Sequence, residues 1–195
     1  MYGGVDLSTL KVVIASTRPG RIGGSIGHWF AGLAAERGTF DAVEVLDLAE
    51  LALPMFDEPH HPRTGQYVHD HTQEWSRAVD TSDALVFVSP EYNGFPPPSL
   101  LNAVDYLHAE WVAKPLGVVT YGGRSGGGRA GALLAQLGRN LGMQVAEFSF
   151  GVAQVGEQIR DGVFSPTQQD TSAGESLVHE LAGLQTPSAQ EPAAA

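Results

Sequence analysis

The stretch Ala84-Leu85-Val86-Phe87-Val88-Ser89-Pro90-Glu91-Tyr92-Asn93-Gly94-Phe95-Pro96-Pro97-Pro98 joins a strand pattern to a helix pattern. Its first five residues form an apolar run that is typical of a strand buried on both faces. Helical spacing begins after Pro98, so the residues between the two patterns form a loop at the carboxyl edge of a sheet. Ligands bind at that edge in open α/β sheets. A loop of Pro, Tyr, Asn and Gly is stiff and combines backbone groups with an aromatic face, which suits a planar ligand.

Apolar runs and helical patterns alternate along the rest of the chain. The predicted strands are 11–15, 43–48, 83–89, 115–120 and 145–150, and the predicted helices are 22–37, 71–81, 98–108, 128–141 and 170–184. Strict alternation implies parallel strands with helices on both faces, and right-handed crossovers leave few topologies. We therefore expect an α/β fold with a doubly wound, five-stranded parallel sheet of order 2-1-3-4-5. Residues 1–184 are predicted to form a single domain, and 185–195 a disordered tail.

The composition argues against several classes of function. The 195 residues are 43% hydrophobic and 17% charged, as in ordinary globular proteins. A formal net charge of −11 argues against broad nucleic-acid binding and against an anionic membrane surface as partner. The lack of cysteine excludes disulfides, thiol nucleophiles and cysteine-ligated clusters. Because no apolar run is long enough to span a bilayer and no leader pattern opens the chain, we expect a cytoplasmic protein.

The loop after the first predicted strand, residues 16–25, has the composition of a phosphate site. It combines hydroxyls at Ser16 and Ser25, cations at Arg18 and Arg21, and several glycines at the start of a helix. Helix N-termini of this kind bind phosphate through backbone N–H groups. The loop lacks the Gly-Lys-Ser/Thr sequence of nucleotide triphosphate sites. The alternative interpretation is a flexible turn with surface arginines.

The loop after the fourth predicted strand, residues 121–129, contains five glycines before another helix. Such a loop exposes backbone N–H groups that hold an anion or the edge of a ring that becomes negative. The alternative is a flexible glycine-rich turn. Residues 126–131 also match G-x-G-x-x-G, but the dinucleotide pattern belongs after the first strand of its unit. Residues 123–127 match the hydrolase pattern G-x-S-x-G, with Asp161 and His179 later in the chain, but a nucleophile elbow follows its strand directly.

Histidines at 60–61, 69 and 71, with Asp57 and Glu58 nearby, raise the question of a metal site. Their spacing fits no ordered ligand set such as H-E-x-x-H. Prolines at 59 and 62 indicate a surface excursion between the second and third strands. We predict no metal site here, and a solvated loop that meets a partner subunit is the favoured interpretation.

Three loops in this order resemble those of the NADPH-dependent FMN reductase family, whose flavodoxin-like members include quinone, azo and chromate reductases. The resemblance covers Lys11 to about Gly151. Its most specific part is Pro90-Glu91-Tyr92-Asn93-Gly94 followed by Asn102-Ala103-Val104-Asp105-Tyr106-Leu107. Lys114-Pro115 and the glycine-rich loop after the fourth strand are also similar to the family.

The resemblance implies three groups of FMN-binding residues. The phosphate pocket consists of Ser16, Arg18, Arg21, Gly23, Ser25 and Ile26. The isoalloxazine ring is held by Pro90, Glu91, Tyr92, Asn93 and Gly94, and its other edge by Tyr121, Gly122, Gly123, Arg124 and Ser125. No protein acid or base is expected to be essential, because the cofactor carries the chemistry. Arg124 is a candidate for stabilising negative charge on the reduced ring.

The function implied is hydride transfer from NADPH or NADH through FMN to a flavin, quinone or similar small acceptor. The natural acceptor and the preferred nicotinamide stay open at this point. An alternative is a flavodoxin-like electron carrier that serves a protein partner, and a second is a serine hydrolase acting through Ser125. The resemblance also implies a homodimer or tetramer, with helices 98–111 and 128–141 as candidate faces and Trp111 as a candidate contact. Both helices equally suit a role in covering the sheet.

Overall fold

The computed structural model describes residues 8–184. The strands are Thr9–Ile14 (β1), Ala42–Asp47 (β2), Ala84–Pro90 (β3), Pro115–Tyr121 (β4), Gln144–Val145 (β5), Phe150–Val152 (β6), Ile159–Arg160 (β7) and Val163–Phe164 (β8). The α-helices are Gly23–Arg37 (α1), Leu48–Leu51 (α2), Asp70–Asp80 (α3), Pro98–Asp105 (α4), Gly128–Asn140 (α5) and Gln168–Gly183 (α6). Short 3-10 helices span Pro62–Thr64, Ala109–Trp111 and Val155–Gln158. The tail predicted at 185–195 lies outside the described residues.

The main sheet is parallel and has the order β2-β1-β3-β4-β5, as predicted. Every residue of the two central strands β3 and β4 is buried. Strands covered on both faces carry continuous apolar runs rather than alternating ones, which explains their clear sequence signal. The order is that of flavodoxin-like sheets, so the predicted fold class is confirmed.

The fifth strand differs from the single run predicted at 145–150. β5 pairs with the start of β4 at Pro115 and Leu116, whereas β6 pairs with its end at residues 119–121. Between them the N–H groups of Glu147 and Phe148 donate to the Glu180 carboxylate on α6, at 2.5 and 3.0 Å. The chain leaves the sheet there because these donors are paired with a helix side chain instead of with β4.

Helices cover both faces of the sheet. One apolar layer includes Phe30 of α1 and Leu177 of α6, and the other includes Trp75 of α3, Leu100 of α4 and Leu134 of α5. None of the helices within residues 8–184 has the length and apolar character needed to cross a membrane.

Trp111 belongs to the second apolar layer, so of the two interpretations left open by the sequence the structure supports the one in which it covers the sheet. Its side chain is fully buried and packs edge-on against Trp75 and Phe87. The indole N–H groups of Trp75 and Trp111 donate to the carbonyls of Ala103 and Val104, at 2.7 and 3.2 Å. Both carbonyls lie at the end of α4, and that of Val104 also accepts a 3.3 Å bond from the N–H of Leu107. The helix ends at Asp105, three residues before the predicted boundary.

Candidate functional site

Three loops meet at the carboxyl edge of the sheet, because β1, β3 and β4 are neighbours. Residue 14 of β1 pairs with Val88 of β3, and Pro90 at the end of β3 pairs with Tyr121 at the end of β4. The first loop is 15–22, the second is 91–97 and the third is 122–127. The structure thus brings together the three segments that the sequence singled out.

The first and second loops contact each other through Ser16 and Tyr92. The Ser16 side chain is buried, and its hydroxyl shares a 2.8 Å hydrogen bond with the Tyr92 hydroxyl. The guanidinium carbon of Arg18 lies 5.9 Å from the centroid of the Tyr92 ring, within the range of a cation–π contact. Arg18 is otherwise exposed, so its charge is available to a ligand at this edge.

Arg21 is engaged within the protein. Its two terminal nitrogens donate to the two carboxylate oxygens of Asp47, at 2.7 and 2.6 Å. Asp47 also accepts a 2.9 Å bond from the N–H of Ala49 and so begins α2. A fork-like pair of this type neutralises the guanidinium and fixes its plane. The sequence interpretation missed Asp47, which stands at the end of β2, beside the first loop.

Ser25 and Ile26 lie in the first turn of α1 and have structural contacts. The Ser25 hydroxyl accepts a 2.7 Å bond from the N–H of Phe164 in β8. The Ile26 side chain is fully buried in the apolar layer under α1. The N–H groups of both residues donate to the Ile22 carbonyl, at 3.1 and 3.4 Å, so neither position offers a free backbone donor to a ligand. The N–H groups that the start of a helix leaves without intrahelical partners belong here to Gly23 and Gly24.

The second loop is a tight hairpin. Tyr92 and Phe95 exchange two backbone hydrogen bonds of 2.8 and 3.0 Å. Asn93 and Gly94 between them have φ values of 54° and 87°. Positive φ at both central residues defines a type I′ turn, for which Asn-Gly is the favoured pair. The sequence signal for this turn was present in Asn93-Gly94, and the turn explains why the loop is stiff.

Serine 99 fixes the position of the helix that follows this hairpin. Its hydroxyl donates a 2.6 Å bond to the carbonyl of Ala15 at the end of β1. Pro96 and Pro97 are buried, and Pro98 is the first residue of α4. Proline is well suited to that position because its missing N–H has no partner there in any helix.

In the third loop, two glycines are needed for packing, and the N–H groups of residues 123–125 are left free within the described chain. Gly126 and Gly127 have positive φ, and a Cβ on Gly126 would lie 2.7 Å from the Gly151 carbonyl oxygen. These two glycines are therefore needed for packing inside the protein. Arg124 and Ser125 are exposed, and within residues 8–184 the N–H groups of residues 123–125 have no hydrogen-bond partner in the protein. These donors are free for a ligand.

Tyr121 and Gly23 join the third loop to the first. A Cβ on Gly23 would lie 2.4 Å from the Tyr121 hydroxyl oxygen, so the tyrosine rests directly on the start of α1. Burial raises the pKa of the Tyr121 phenol, and the Ser16 hydrogen bond and the nearby arginines oppose this only in part. Tyr121 is therefore a neutral hydroxyl at physiological pH.

Glu91 joins the second loop to the third. Its Oε2 atom accepts hydrogen bonds from the N–H groups of Arg129 and Ala130, at 2.9 and 3.2 Å. Both donors belong to the first turn of α5. The carboxylate is thus used to cap a helix, and the sequence interpretation, which placed Glu91 against a ring, did not foresee this contact.

A strap formed by residues 52–58 lies over α4 and contacts two of the histidines, His69 and His71, through Asp57. Asn102 donates to the Pro54 carbonyl at 2.7 Å and accepts from the Phe56 N–H at 2.9 Å. Asp57 accepts bonds from Tyr106 at 2.8 Å and pairs with His71 at 3.0 Å. Burial by itself would raise the pKa of Asp57. The hydrogen bonds from Tyr106 and His71 outweigh this effect, so the pKa lies below its ordinary value.

The strap also explains two features of the sequence. Asn102 and Tyr106 lie one helical turn apart, so the motif after the hairpin serves to anchor the strap. The two histidines beside the strap have contacts inside the protein: His69 stacks on His71, and a ring nitrogen of His69 contacts the Asp57 carbonyl. No group of three or more His, Asp or Glu residues in the described part of the chain is arranged to hold a metal ion.

A hollow of about 370 Å³ borders the first loop at Thr17, between the strap and α4.

The two competing motif matches are not supported by the geometry. The 126–131 match follows β4 and not the first strand, and two of its three glycines, Gly126 and Gly131, pack against Gly151 and Thr120. Ser125 lies in an exposed loop four residues beyond the end of β4, and not on a tight turn directly off the strand. His179 lines a surface hollow with Arg37 and Glu175.

The family model for NADPH-dependent FMN reductases matches residues 9–157, which include all three loops. The chain belongs to this family. An NAD(P)H-dependent FMN reductase of Schizosaccharomyces pombe is 36% identical over 164 residues, which cover 83% of this chain and 81% of that protein. A 2-hydroxy-1,4-benzoquinone reductase of a Burkholderia species is 27% identical over 117 residues, covering 60% of this chain and 56% of that protein.

A solved structure agrees with this assignment at the level of the fold. FerB of Paracoccus denitrificans, a flavoenzyme NAD(P)H:(acceptor) oxidoreductase, aligns with a TM-score of 0.73 at 19% identity. The alignment covers 92% of this chain and 100% of that one. As a member of the NADPH-dependent FMN reductase family, the chain is an oxidoreductase that uses FMN and NAD(P)H.

Proposed function

We propose that the chain transfers hydride from NAD(P)H through FMN bound at the three loops to a flavin, quinone or similar small acceptor. The observation that carries this proposal is the convergence of the loops. Ser16 contacts Tyr92, Gly23 contacts Tyr121, and Glu91 contacts the start of α5. The names of the relatives support both FMN and a quinone as acceptors.

The residues at the three loops fit FMN. Arg18 and the N–H groups of Gly23 and Gly24 at the start of α1 would hold the phosphate, with Ser16 next to them, while Arg21 shapes the pocket through its pair with Asp47. The free N–H groups at 123–125 and the turn at Asn93-Gly94 provide donors for the polar edge of the ring. The remaining predicted contacts, from Pro90, Tyr92, Tyr121, Gly122 and Ser25, form the walls.

These positions indicate which part of the reaction depends on the cofactor and which on the protein. When bound, FMN would supply the hydride-transfer chemistry. Arg124 and the N–H groups of residues 123–125 would stabilise the negative charge that develops on the ring, as preorganised donors do. No side chain in the proposed mechanism acts as an essential acid or base.

We also propose that the protein works in the cytoplasm as a homodimer or tetramer. With Trp111 buried, exposed apolar side chains are better candidates for the contact. Three of them are Leu101 on α4, Leu133 on α5 and Phe95 on the second loop, each more than a third exposed.

Replacement of Arg18 by alanine tests the phosphate pocket. A charge-assisted bond to phosphate contributes about 1.5–3 kcal/mol, so FMN affinity should fall about tenfold for this exposed group. Riboflavin, which lacks the phosphate, should bind both proteins equally. Flavin fluorescence quenching measures both affinities, and an equal loss for FMN and riboflavin would contradict the assignment.

A steady-state acceptor panel on the FMN-loaded protein tests the reaction. We expect rapid oxidation of NADPH or NADH with free flavin and with one- and two-ring quinones. The panel, run with both nicotinamides, also identifies the preferred donor. A protein that is reduced only by a partner reductase and passes electrons only to a protein would instead be an electron carrier. Loss of ester hydrolysis on replacing Ser125 with alanine would indicate a hydrolase.

A further inference from the structure

The N-terminus of α5 lacks a cap of its own. Its N-cap is Gly127, with φ of 83° and no side chain, and the first turn contains no acidic residue. Helix N-termini leave backbone N–H groups without partners, which are commonly satisfied by Ser, Thr, Asp or Asn at the N-cap. In this helix the partner comes from another loop, since Glu91 is 38 residues away from Arg129 in the sequence.

A second contact reinforces the same junction. The side chain of Arg129 passes over the hairpin turn, where a Cβ on Gly94 would lie 3.6 Å from the arginine Cδ. Arg129 therefore contacts the second loop through its N–H, by way of Glu91, and through its aliphatic stem. The hairpin and the start of α5 are thus held as one unit, and the third loop ends where that helix begins.

We infer that Glu91 is a positioning residue that sets the distance between the hairpin and the third loop and so preorganises the flavin cleft. The carboxylate acts on the cofactor through these two loops and makes no contact with the ring itself. Preorganised groups bind a ligand more tightly because less ordering is required at the moment of binding. This inference rests on the proposed placement of FMN at the three loops.

Variants of Glu91 can distinguish the effect of the side chain's length from the effect of its charge. A single oxygen, Oε2, accepts both hydrogen bonds. Glu91→Gln retains one carbonyl oxygen at the same reach without the charge. Glu91→Asp retains the charge on a side chain one methylene shorter, and Glu91→Ala removes the acceptor. A positioning role predicts that the Gln variant retains FMN affinity and that the Asp and Ala variants lose it.

Glu180 supplies a matched control. Its carboxylate also accepts two backbone N–H bonds, from Glu147 and Phe148, but at the outer edge of the sheet. Glu180→Ala should lower the urea midpoint of the apoprotein as Glu91→Ala does. Only the Glu91 variant should change FMN binding, because only Glu91 joins two loops of the cleft.

The test is a titration of each apoprotein with FMN, followed by flavin fluorescence, together with hydrogen exchange at the amides of Arg129 and Ala130. We expect Glu91→Ala and Glu91→Asp to weaken FMN binding about tenfold and to accelerate exchange at both amides. Glu91→Gln should stay within about threefold of the wild type and Glu180→Ala within about twofold.

Two results would overturn the inference: wild-type affinity in Glu91→Ala, or strong binding in Glu91→Asp with weak binding in Glu91→Gln. The Arg18 titration separates this failure from failure of the proposed site. If Arg18→Ala also leaves FMN affinity unchanged, the cofactor lies elsewhere. If Arg18→Ala weakens binding and Glu91→Ala does not, only the role of Glu91 is wrong.

Discussion

Replacing Gly23 with alanine should weaken FMN binding roughly 10- to 100-fold, because overpacking costs about 1–3 kcal/mol at a site that cannot yield. The added Cβ would lie 2.4 Å from the Tyr121 hydroxyl oxygen and 3.2 Å from its Cζ. Tyr121 is only 5% exposed, so it has no room to move without shifting the end of β4. The first and third loops would be forced apart, and the proposed phosphate and ring contacts would no longer be made together.

Gly24 is a closely matched control for this experiment. It is the next residue of α1, and a Cβ there meets nothing within 4 Å. Gly24→Ala should retain FMN affinity within about twofold, and its better helix propensity should slightly raise stability. Tyr121→Phe removes the oxygen that the Cβ would strike, so it should partly restore binding in the Gly23→Ala background. Equal affinities for the Gly23 and Gly24 variants would contradict the proposed role of this contact.

Replacing Gly126 with alanine should lower the free energy of unfolding by about 3 kcal/mol. The new Cβ would lie 2.7 Å from the carbonyl oxygen of Gly151 and 2.8 Å from its carbon, and backbone atoms cannot swing aside. The residue also has a φ of 58°, which an L side chain adopts only at a cost. Urea denaturation of the apoprotein measures the change.

Gly123 allows the same substitution to be made in the same loop without these constraints. A Cβ at this position meets nothing within 4 Å, and the residue is exposed. Gly123→Ala should change the free energy of unfolding by less than about 0.5 kcal/mol. A similar loss of stability in both variants would mean that flexibility of the whole loop matters, and not the packing of Gly126 on β6.

The fold was predictable from the sequence because its strongest signals are local. Runs such as 84–88 and 115–119 contain no polar residue, and the helices between the strands repeat with regular spacing, so order and direction followed from chain topology. The short α2 was missed, since four residues carry too little periodicity. The split in the fifth strand was missed because it depends on Glu180, which lies more than thirty residues further along the chain.

The candidate site was predictable as a set of loops but not as a set of contacts. Composition and position indicated the three loops, and Asn93-Gly94 also carried the signature of its turn. The pairing of Arg21 with Asp47 and the capping of α5 by Glu91 join residues that are distant in the sequence. Only the folded chain brings such partners together. The sequence therefore assigned both side chains to the ligand, whereas the structure gives them partners within the protein.

The ion pair between Arg21 and Asp47 has a consequence for how anionic nucleotides reach this protein. With that arginine neutralised, attraction near the loops comes from a few exposed guanidinium groups, such as Arg18 and Arg124. The whole chain carries a net charge of −11, so a nucleotide more than about 10 Å away is repelled overall. Added salt screens that long-range repulsion before it weakens the close contacts. We therefore expect diffusional encounter with the dinucleotide to become faster as ionic strength rises toward that of the cell.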